Sequence, residues 1–291
     1  MKLPVSRRLT SLAHLALVAA LAPLTTAGLE FVRLDRPRAE AAEPVARELA
    51  RIISGEHRSA ANRARDRYRH PAEVLGFLAI APDARVIEIG PGVAGYWTEI
   101  LAPYLKDKGR YIAAGPSPAS SSKAGVSKLI QRYAAKLAAD PMRYGKVEVV
   151  EFHAGASELG PSASADVVLT FRNLHNWMAT GKAQAVLAAF HRVLKPGGML
   201  GIVEHRGRTD MPQDPKAKSG YVRQDYAIGL VEAAGFKLIA SSEANANPKD
   251  SKDYPAGVWT LPPSFRLRDQ DRDKYAAIGE SDRFTLKFVK R

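Results

Sequence analysis

VIEIGPGVAG, residues 86–95, sets one carboxylate, Glu88, in a run of β-branched residues and follows it with glycines at 90, 92 and 95. Such a run reads as a buried strand, and Gly90 and Gly92 free the backbone behind it to approach a ligand with no Cβ in the way. Residues 96–107, YWTEILAPYLKD, read as the helix that follows. The start of that helix offers unpaired N–H groups and the positive end of its dipole, which favour an anion. Strand, Gly-x-Gly, helix is the order found at the ligand crevice of an open α/β sheet.

On both sides of this loop, strand-like and helix-like segments alternate. GRYIAAG (109–115), KVEVVEF (146–152), DVVLTF (166–171), MLGIVEH (199–205) and FKLIASS (236–242) read as strands. SKLIQRYAAKLAAD (127–140), KAQAVLAAFHRVL (182–194) and VRQDYAIGLVEAA (222–234) read as helices, with Val186, Leu187, Phe190, Val193 and Leu194 forming an apolar stripe at helical spacing. Gly235 fits a left-handed helix end, and Pro196-Gly197 fits a tight turn before the 199–205 strand. The alternation predicts a largely parallel sheet with helices on both faces. Phe284, Leu286 and Phe288 alternate as in a further strand at RFTLKFVKR.

Residues 43–83 read as an N-terminal helical extension. EPVARELARII has helical spacing, GEHRSAANRARDRYRH is basic with no apolar face, and Pro71 opens a second helix. The basic stretch reads as a solvated helix face with Asp66 and Glu56 as partners; the alternative is a cover over the crevice, with His70 reaching in. Residues 244–282, rich in proline and charge, form an insertion before the last strand, long enough for a lid built around Trp259 and Tyr254.

Composition narrows the chemistry. The 291 residues are 46% hydrophobic and 25% charged, the balance of a folded soluble protein. There is no cysteine, which excludes disulfides, thiol nucleophiles and cysteine-bearing zinc sites. A net charge of +13 favours anionic partners. No nucleic-acid motif accompanies it, so nucleic acid is not an expected partner. Lys2, Arg7 and Arg8 precede an apolar stretch and then Thr25-Thr26-Ala27, the layout of a signal segment over residues 1–27 with cleavage there or as far as residue 42. The expected location is therefore the periplasm, with the general or the twin-arginine route left open and membrane contact confined to that segment.

GPGVAG also fits the dinucleotide pattern G-x-G-x-x-G, so a nicotinamide oxidoreductase competes. Glu88 at the strand end suits a ligand carrying an ammonium group better than a pyrophosphate. Taken with HRVLKPGGMLGIVEH (191–205) about 105 residues later, the loop resembles that of the class I S-adenosylmethionine-dependent methyltransferases. ADVVLTFRNLHNW and the closing RFTLKFVK strengthen the resemblance. It is nearest a group of exported, predicted methyltransferases of unestablished substrate that share RDRYRHPAE, FRNLHNW, VEHR and the tail from GVWTLPP to IGESDRFTLKF, and it spans residues 57–291.

The resemblance implies a Rossmann-like, doubly wound, seven-stranded sheet with the last strand antiparallel over residues 84–291. It also implies S-adenosylmethionine held by Glu88, Gly90, Pro91, Gly92 and Gly95, with Glu88 orienting the ammonium group through water. The family's acid at the end of the second strand, which would hold the ribose hydroxyls, is absent from AAGPSPASSS (113–122), leaving Ser117 as a substitute. The acid after the third strand is absent too, unless Glu158 reaches back.

The ends of the fourth and fifth strands are unusually polar. Asn173 is placed with the cofactor; His175 and His205 are the candidate bases, because imidazole titrates nearest neutrality. Arg172, Trp177, Glu204, Arg206, His70 and Trp259 are candidates for a small, anionic substrate. His175, Glu204 and His205 could also be metal ligands, but no spacing enforces it and no metal is expected. The function expected is methyl transfer to an oxygen, nitrogen or carbon of a small molecule. The alternatives are a non-catalytic ligand-binding protein on the same scaffold and, third, the oxidoreductase.

Overall fold

The structure is a computed structural model that describes residues 36–116, 124–154 and 158–291. The signal segment and Ser117 lie outside the described residues. The seven expected strands form one sheet: β1 Arg85–Ile89, β2 Arg110–Gly115, β3 Glu148–Glu151, β4 Ala165–Phe171, β5 Leu194–His205, β6 Phe236–Ser242 and β7 Arg283–Lys290. Their order is β3-β2-β1-β4-β5-β7-β6. β1 to β5 run parallel to one another, and β7 runs antiparallel to both β5 and β6.

β1 is buried on both faces, so successive residues serve opposite layers. Ile87 and Ile89 join Ile112, Leu187, Phe190 and Phe236 under α8 (Leu174–Ala179), α9 (Ala183–Val193) and α10 (Gln224–Glu232). Val86 joins Leu78, Ile100, Leu101 and Tyr111 on the other side. That side carries α1 (Arg36–Ile53), α4 (Pro71–Leu78), α5 (Thr98–Leu105), α6 (Ala124–Ala138) and α7 (Pro141–Tyr144). β6, at the sheet edge, keeps the alternation of a strand wetted on one face, and Ile239 stands exposed.

The Lys195-Pro196-Gly197-Gly198 turn is absorbed into the start of β5. It bulges between the pairings Ala165↔Leu194 and Val167↔Met199, with Gly197 at φ +72°.

The basic stretch departs from its reading as a solvated face. It forms two short helices, α2 (Ala60–Arg63) and α3 (Asp66–Arg69); Arg63 and Arg67 are exposed, but Arg69 and, ahead of α2, Arg58 are buried. Arg58 donates to both Asp66 oxygens at 2.6 and 2.7 Å, as the pairing with Asp66 anticipated. The same carboxylate accepts the Tyr96 hydroxyl at 2.6 Å. A buried guanidinium needs this matched carboxylate to offset its lost hydration, and periodicity cannot show where one waits.

The insertion is a folded cover. It contains a 3-10 turn, Gly257–Thr260, and α11, Arg272–Ile278. Buried Asp250 accepts the Tyr221 hydroxyl at 2.9 Å and the Asp282 N–H at 2.8 Å. The Asn247 amide donates to the carbonyls of Ile278 and Glu280 at 3.0 and 2.7 Å. Tyr254 meets Tyr275 edge-on inside this unit.

Candidate functional site

The glycine loop closes β1 as its sequence required. Gly90 and Gly92 take φ +65° and +68°, the left-handed region that β-carbons disfavour. A Cβ on Gly92 would meet nothing within 4 Å, so its backbone faces open space. A Cβ on Gly90 would come within 3.3 Å of the Asn173 amide. Asn173 Nδ2 donates to the Ile89 carbonyl at 3.0 Å and to Thr170 Oγ1 at 3.1 Å, tying the ends of β1 and β4 together. The structure therefore places Asn173 as a brace of the loop. Gly95 is packed: a Cβ there would press Lys136 at 3.0 Å and Thr98 at 3.2 Å. The extension also holds the loop, since Asn62 Nδ2 donates to the Ala94 carbonyl at 2.9 Å.

Glu88 is 2% exposed and points under α5, where Tyr111 donates to its Oε2 at 2.5 Å. Burial raises its pKa to about 7, opposed by the Tyr111 hydrogen bond and the charge of Arg69. A ligand ammonium brought near would favour the ionised form, so the carboxylate suits a cationic partner. A loop open at Gly92 and a carboxylate beneath it fit an amino-acid-bearing cofactor. β2 ends at Gly115, opposite Glu151 of β3, and a Cβ on Gly115 would likewise meet nothing.

At the carboxyl ends of β4 and β5 the structure brings His175, Glu204 and His205 together. Nδ1 of His175 lies 3.0 Å from Glu204 Oε1; a carboxylate accepts, which gives His175 its proton on Nδ1. Glu204 also accepts the backbone N–H groups of His175 at 3.2 Å and His205 at 2.8 Å. Nε2 of His175 makes no hydrogen bond among the described residues, and the ring meets Trp259 edge-on at 5.8 Å. Trp259 thus reaches the site from the insertion.

His205, 5.4 Å from His175 between ring centroids, lies within hydrogen-bonding distance of Ser281 Oγ at 2.6 Å. Its pKa is pushed well below the ordinary range by burial first, then by His175, Arg172, Arg283 and Arg69. It stays neutral and acts as a hydrogen-bonding group.

Donor atoms of His175, Glu204 and His205 lie within 4.8 Å of one another, as a metal site requires. The Glu204 oxygens are already committed to three N–H groups, and the local charge is cationic, so this set fits a proton-transfer pair better than a cation site.

Trp177, expected at the crevice, is instead a core residue, 6% exposed and edge-on to Phe190. The first turn of α8 carries it toward the apolar layer while His175 faces β5. Arg206 pairs with Glu243 and, at 3.7 Å, with Asp282, beside the site rather than in it. Arg172 adopts φ +62° directly after β4, a conformation costly for a residue with a Cβ. His70, at φ +41° between α3 and α4, keeps a buried Nδ1 with no hydrogen-bond partner.

Sequence reasoning missed Arg283 and Glu280, while Arg69 lay in the basic stretch whose alternative reading was a cover over the crevice. Arg283 is 3% exposed and donates to Glu280 at 3.0 Å and to the Tyr68 carbonyl at 2.5 Å. Arg65 adds a 2.6 Å bond to Glu280. The one available signal was an arginine opening an otherwise apolar strand.

The strand order with its reversed seventh strand, the glycine crevice after β1 and the polar ends of β4 and β5 define a class I S-adenosylmethionine-dependent methyltransferase fold. Residues 87–202 match the family model described as a methyltransferase domain.

A curated relative from Talaromyces variabilis, an S-adenosyl-L-methionine-dependent Diels-Alderase, iccD, is 26% identical over 209 residues. The match spans 62% of this chain and 62% of that protein's length. Among solved structures, a SAM-dependent methyltransferase from Aquifex aeolicus superposes with TM-score 0.52 at 14% identity, over 84% of this chain and 98% of its own. The [4+2]-cyclase SpnF gives TM-score 0.52 at 16% identity, over 87% and 94%.

Proposed function

We propose that the protein binds S-adenosylmethionine at the Gly90–Gly92 loop and transfers its methyl group to a small, anionic molecule held at the ends of β4 and β5. The observation that carries this reading is the His175–Glu204 pair, 3.0 Å apart and buried beside the crevice. The cofactor would supply an electrophilic methyl group on sulfur. The protein's work would be alignment and proton removal: Nε2 of His175 would accept the proton that the acceptor O–H, N–H or C–H gives up on methylation. Glu204 fixes the tautomer and stabilises the imidazolium. Such a base contributes roughly 10²–10⁴-fold.

A second reading, cyclisation of a bound substrate with the cofactor as a structural part, is favoured by the Diels-Alderase and [4+2]-cyclase activities of the Talaromyces relative and of SpnF. A pericyclic step needs no base, which is why the His175–Glu204 pair favours methyl transfer. The signal-like N-terminus supports export as part of the same proposal.

The test incubates the full chain with methyl-labelled cofactor and a panel of small acids, reading S-adenosylhomocysteine release and product mass. Methyl transfer predicts stoichiometric release with a product heavier by one CH₂, reduced in His175→Ala. Turnover to a product of unchanged mass moves the assignment to cyclisation. Cofactor binding with no turnover in either sense supports a ligand-binding protein.

A further inference from the structure

A cavity of about 10 Å³ beside this crevice, room for one carboxylate oxygen with the rest of an acid outside it, is lined by Arg69, Arg172 and Arg283, with Trp97, Phe171 and Asn245 completing its wall. It sits on the acceptor side, because Phe171 ends β4 and Arg283 pairs with His205 at the end of β5.

Its charges are unbalanced. Arg65 stands behind the three cations, and Glu280 is the carboxylate among them; Glu88, which feels the charge of Arg69, is hydrogen-bonded by Tyr111, and Glu204, near Arg172, is already engaged by His175. Glu280 accepts from Arg65 at 2.6 Å and from Arg283 at 3.0 Å, while Arg69 Nε lies 3.9 Å from it, too far for a hydrogen bond. Arg69 is 5% exposed, and its Nε has no hydrogen-bond partner. Arg172 makes no side-chain hydrogen bond or ion pair among the described residues. Burial and mutual repulsion lower the pKa values of all three arginines, that of Arg172 to about 10. Buried guanidinium groups in surplus are tolerated where an anion completes them.

Trp97 and Phe171 stack on each other at 4.4 Å and give the cavity a flat, apolar wall. Asn245 Oδ1 is a buried acceptor without a partner. With Glu280 beside it, that acceptor would oppose the extra charge and oxygens of a phosphate and tolerate a planar monoanion.

From the unpartnered Arg69 Nε, the unpaired Arg172 and the aromatic wall, we infer that this cavity binds the carboxylate of an organic acid, and that the methyl acceptor therefore carries one. The inference rests on the acceptor sitting at the ends of β4 and β5. The cofactor's own carboxylate is the competing source of the same chemistry. The left-handed Arg172 is then backbone strain spent to aim a guanidinium, as strained residues at functional sites are.

The test titrates the full chain calorimetrically with benzoate, inorganic phosphate and S-adenosylhomocysteine, singly and in pairs. Benzoate is expected to bind more tightly than phosphate, and to bind equally with S-adenosylhomocysteine present. Arg172→Asn and Arg69→Gln are expected to weaken benzoate roughly ten- to hundredfold, the value of a charge-assisted contact, and Arg172→Asn to leave S-adenosylhomocysteine unchanged. Asparagine accepts the left-handed conformation, so Arg172→Asn should melt no lower than the parent, which separates lost binding from lost folding.

If S-adenosylhomocysteine blocks benzoate while methylthioadenosine, which lacks the amino-acid part, does not, the arginines hold the cofactor and the inference fails. It fails also if benzoate does not bind, or if phosphate binds more tightly. Failure of S-adenosylhomocysteine to bind would instead sink the methyl-transfer reading, with benzoate still deciding the carboxylate site.

Discussion

Arg283, the first residue of β7, donates through Nη2 to the backbone carbonyl of Tyr68, 215 residues earlier, at 2.5 Å. The N-terminal extension is thereby fastened to the last strand over the open ends of β4 and β5. Glu280 is the shared counter-ion of this clasp, held by Arg65 and Arg283.

The clasp makes stability depend on pH. The surrounding arginines outweigh burial and hold Glu280 at about 2, below its ordinary 4.5. A depressed carboxylate stabilises the fold above its unfolded pKa and loses that contribution as pH falls through the folded one. The shift corresponds to about 3 kcal/mol, present at pH 7 and lost between roughly pH 4.5 and 2. Urea unfolding at pH 7 and pH 3 measures it. Glu280→Gln should be less stable at pH 7 by a comparable amount and less sensitive over this window; equal pH slopes in variant and parent would show that Glu280 is not the linked group.

Cofactor affinity should rise with pH. Glu88, raised to about 7 by burial, is partly protonated near neutrality, with Tyr111 and Arg69 as its charged or polar neighbours. An ammonium ligand selects the ionised form, so binding below pH 7 must release a proton and weakens as pH falls. S-adenosylhomocysteine titrations at pH 6 and pH 8 should differ by up to roughly tenfold in the parent. Glu88→Gln should flatten the profile; a parent profile already flat removes Glu88 from the site.

Gly115 ends β2 where the family carries its ribose acid, and a Cβ there meets open space with no positive φ to oppose it. Gly115→Asp should therefore fold normally and bind S-adenosylhomocysteine more tightly, by roughly tenfold for a carboxylate accepting two hydroxyl groups. An unchanged dissociation constant would mean that the ribose is not held at this strand end.

Glu204→Gln retains the shape of a buried side chain that now accepts three N–H groups. Once an acceptor is found, kcat should fall by roughly 10²-fold or more with KM little changed, because the variant no longer stabilises the His175 imidazolium. A fall in KM-linked binding alone would assign Glu204 to substrate holding.

Much of this was legible in residues close together in the chain. The alternation from Ala84 onward gave the doubly wound sheet, because strand and helix periods are local properties of sequence. The glycines at 90 and 92 announced the crevice, because only their lack of a Cβ permits that turn. The polar runs FRNLHNW and VEHR gave His175, Glu204 and His205, because the ends of the fourth and fifth parallel strands necessarily share one edge of the sheet.

Tertiary structure decided how those residues divide the work. It sent Trp177 into the core and His175 toward Glu204, although both lie in one turn of α8. It buried Arg58 and Arg69 and left Arg63 and Arg67 in water, although all four lie in one basic stretch. For the arginines the reason is that a buried charge is stable only where a partner or a ligand meets it: Asp66 meets Arg58 from within the stretch, while Glu280 comes near Arg69 only through the packed fold.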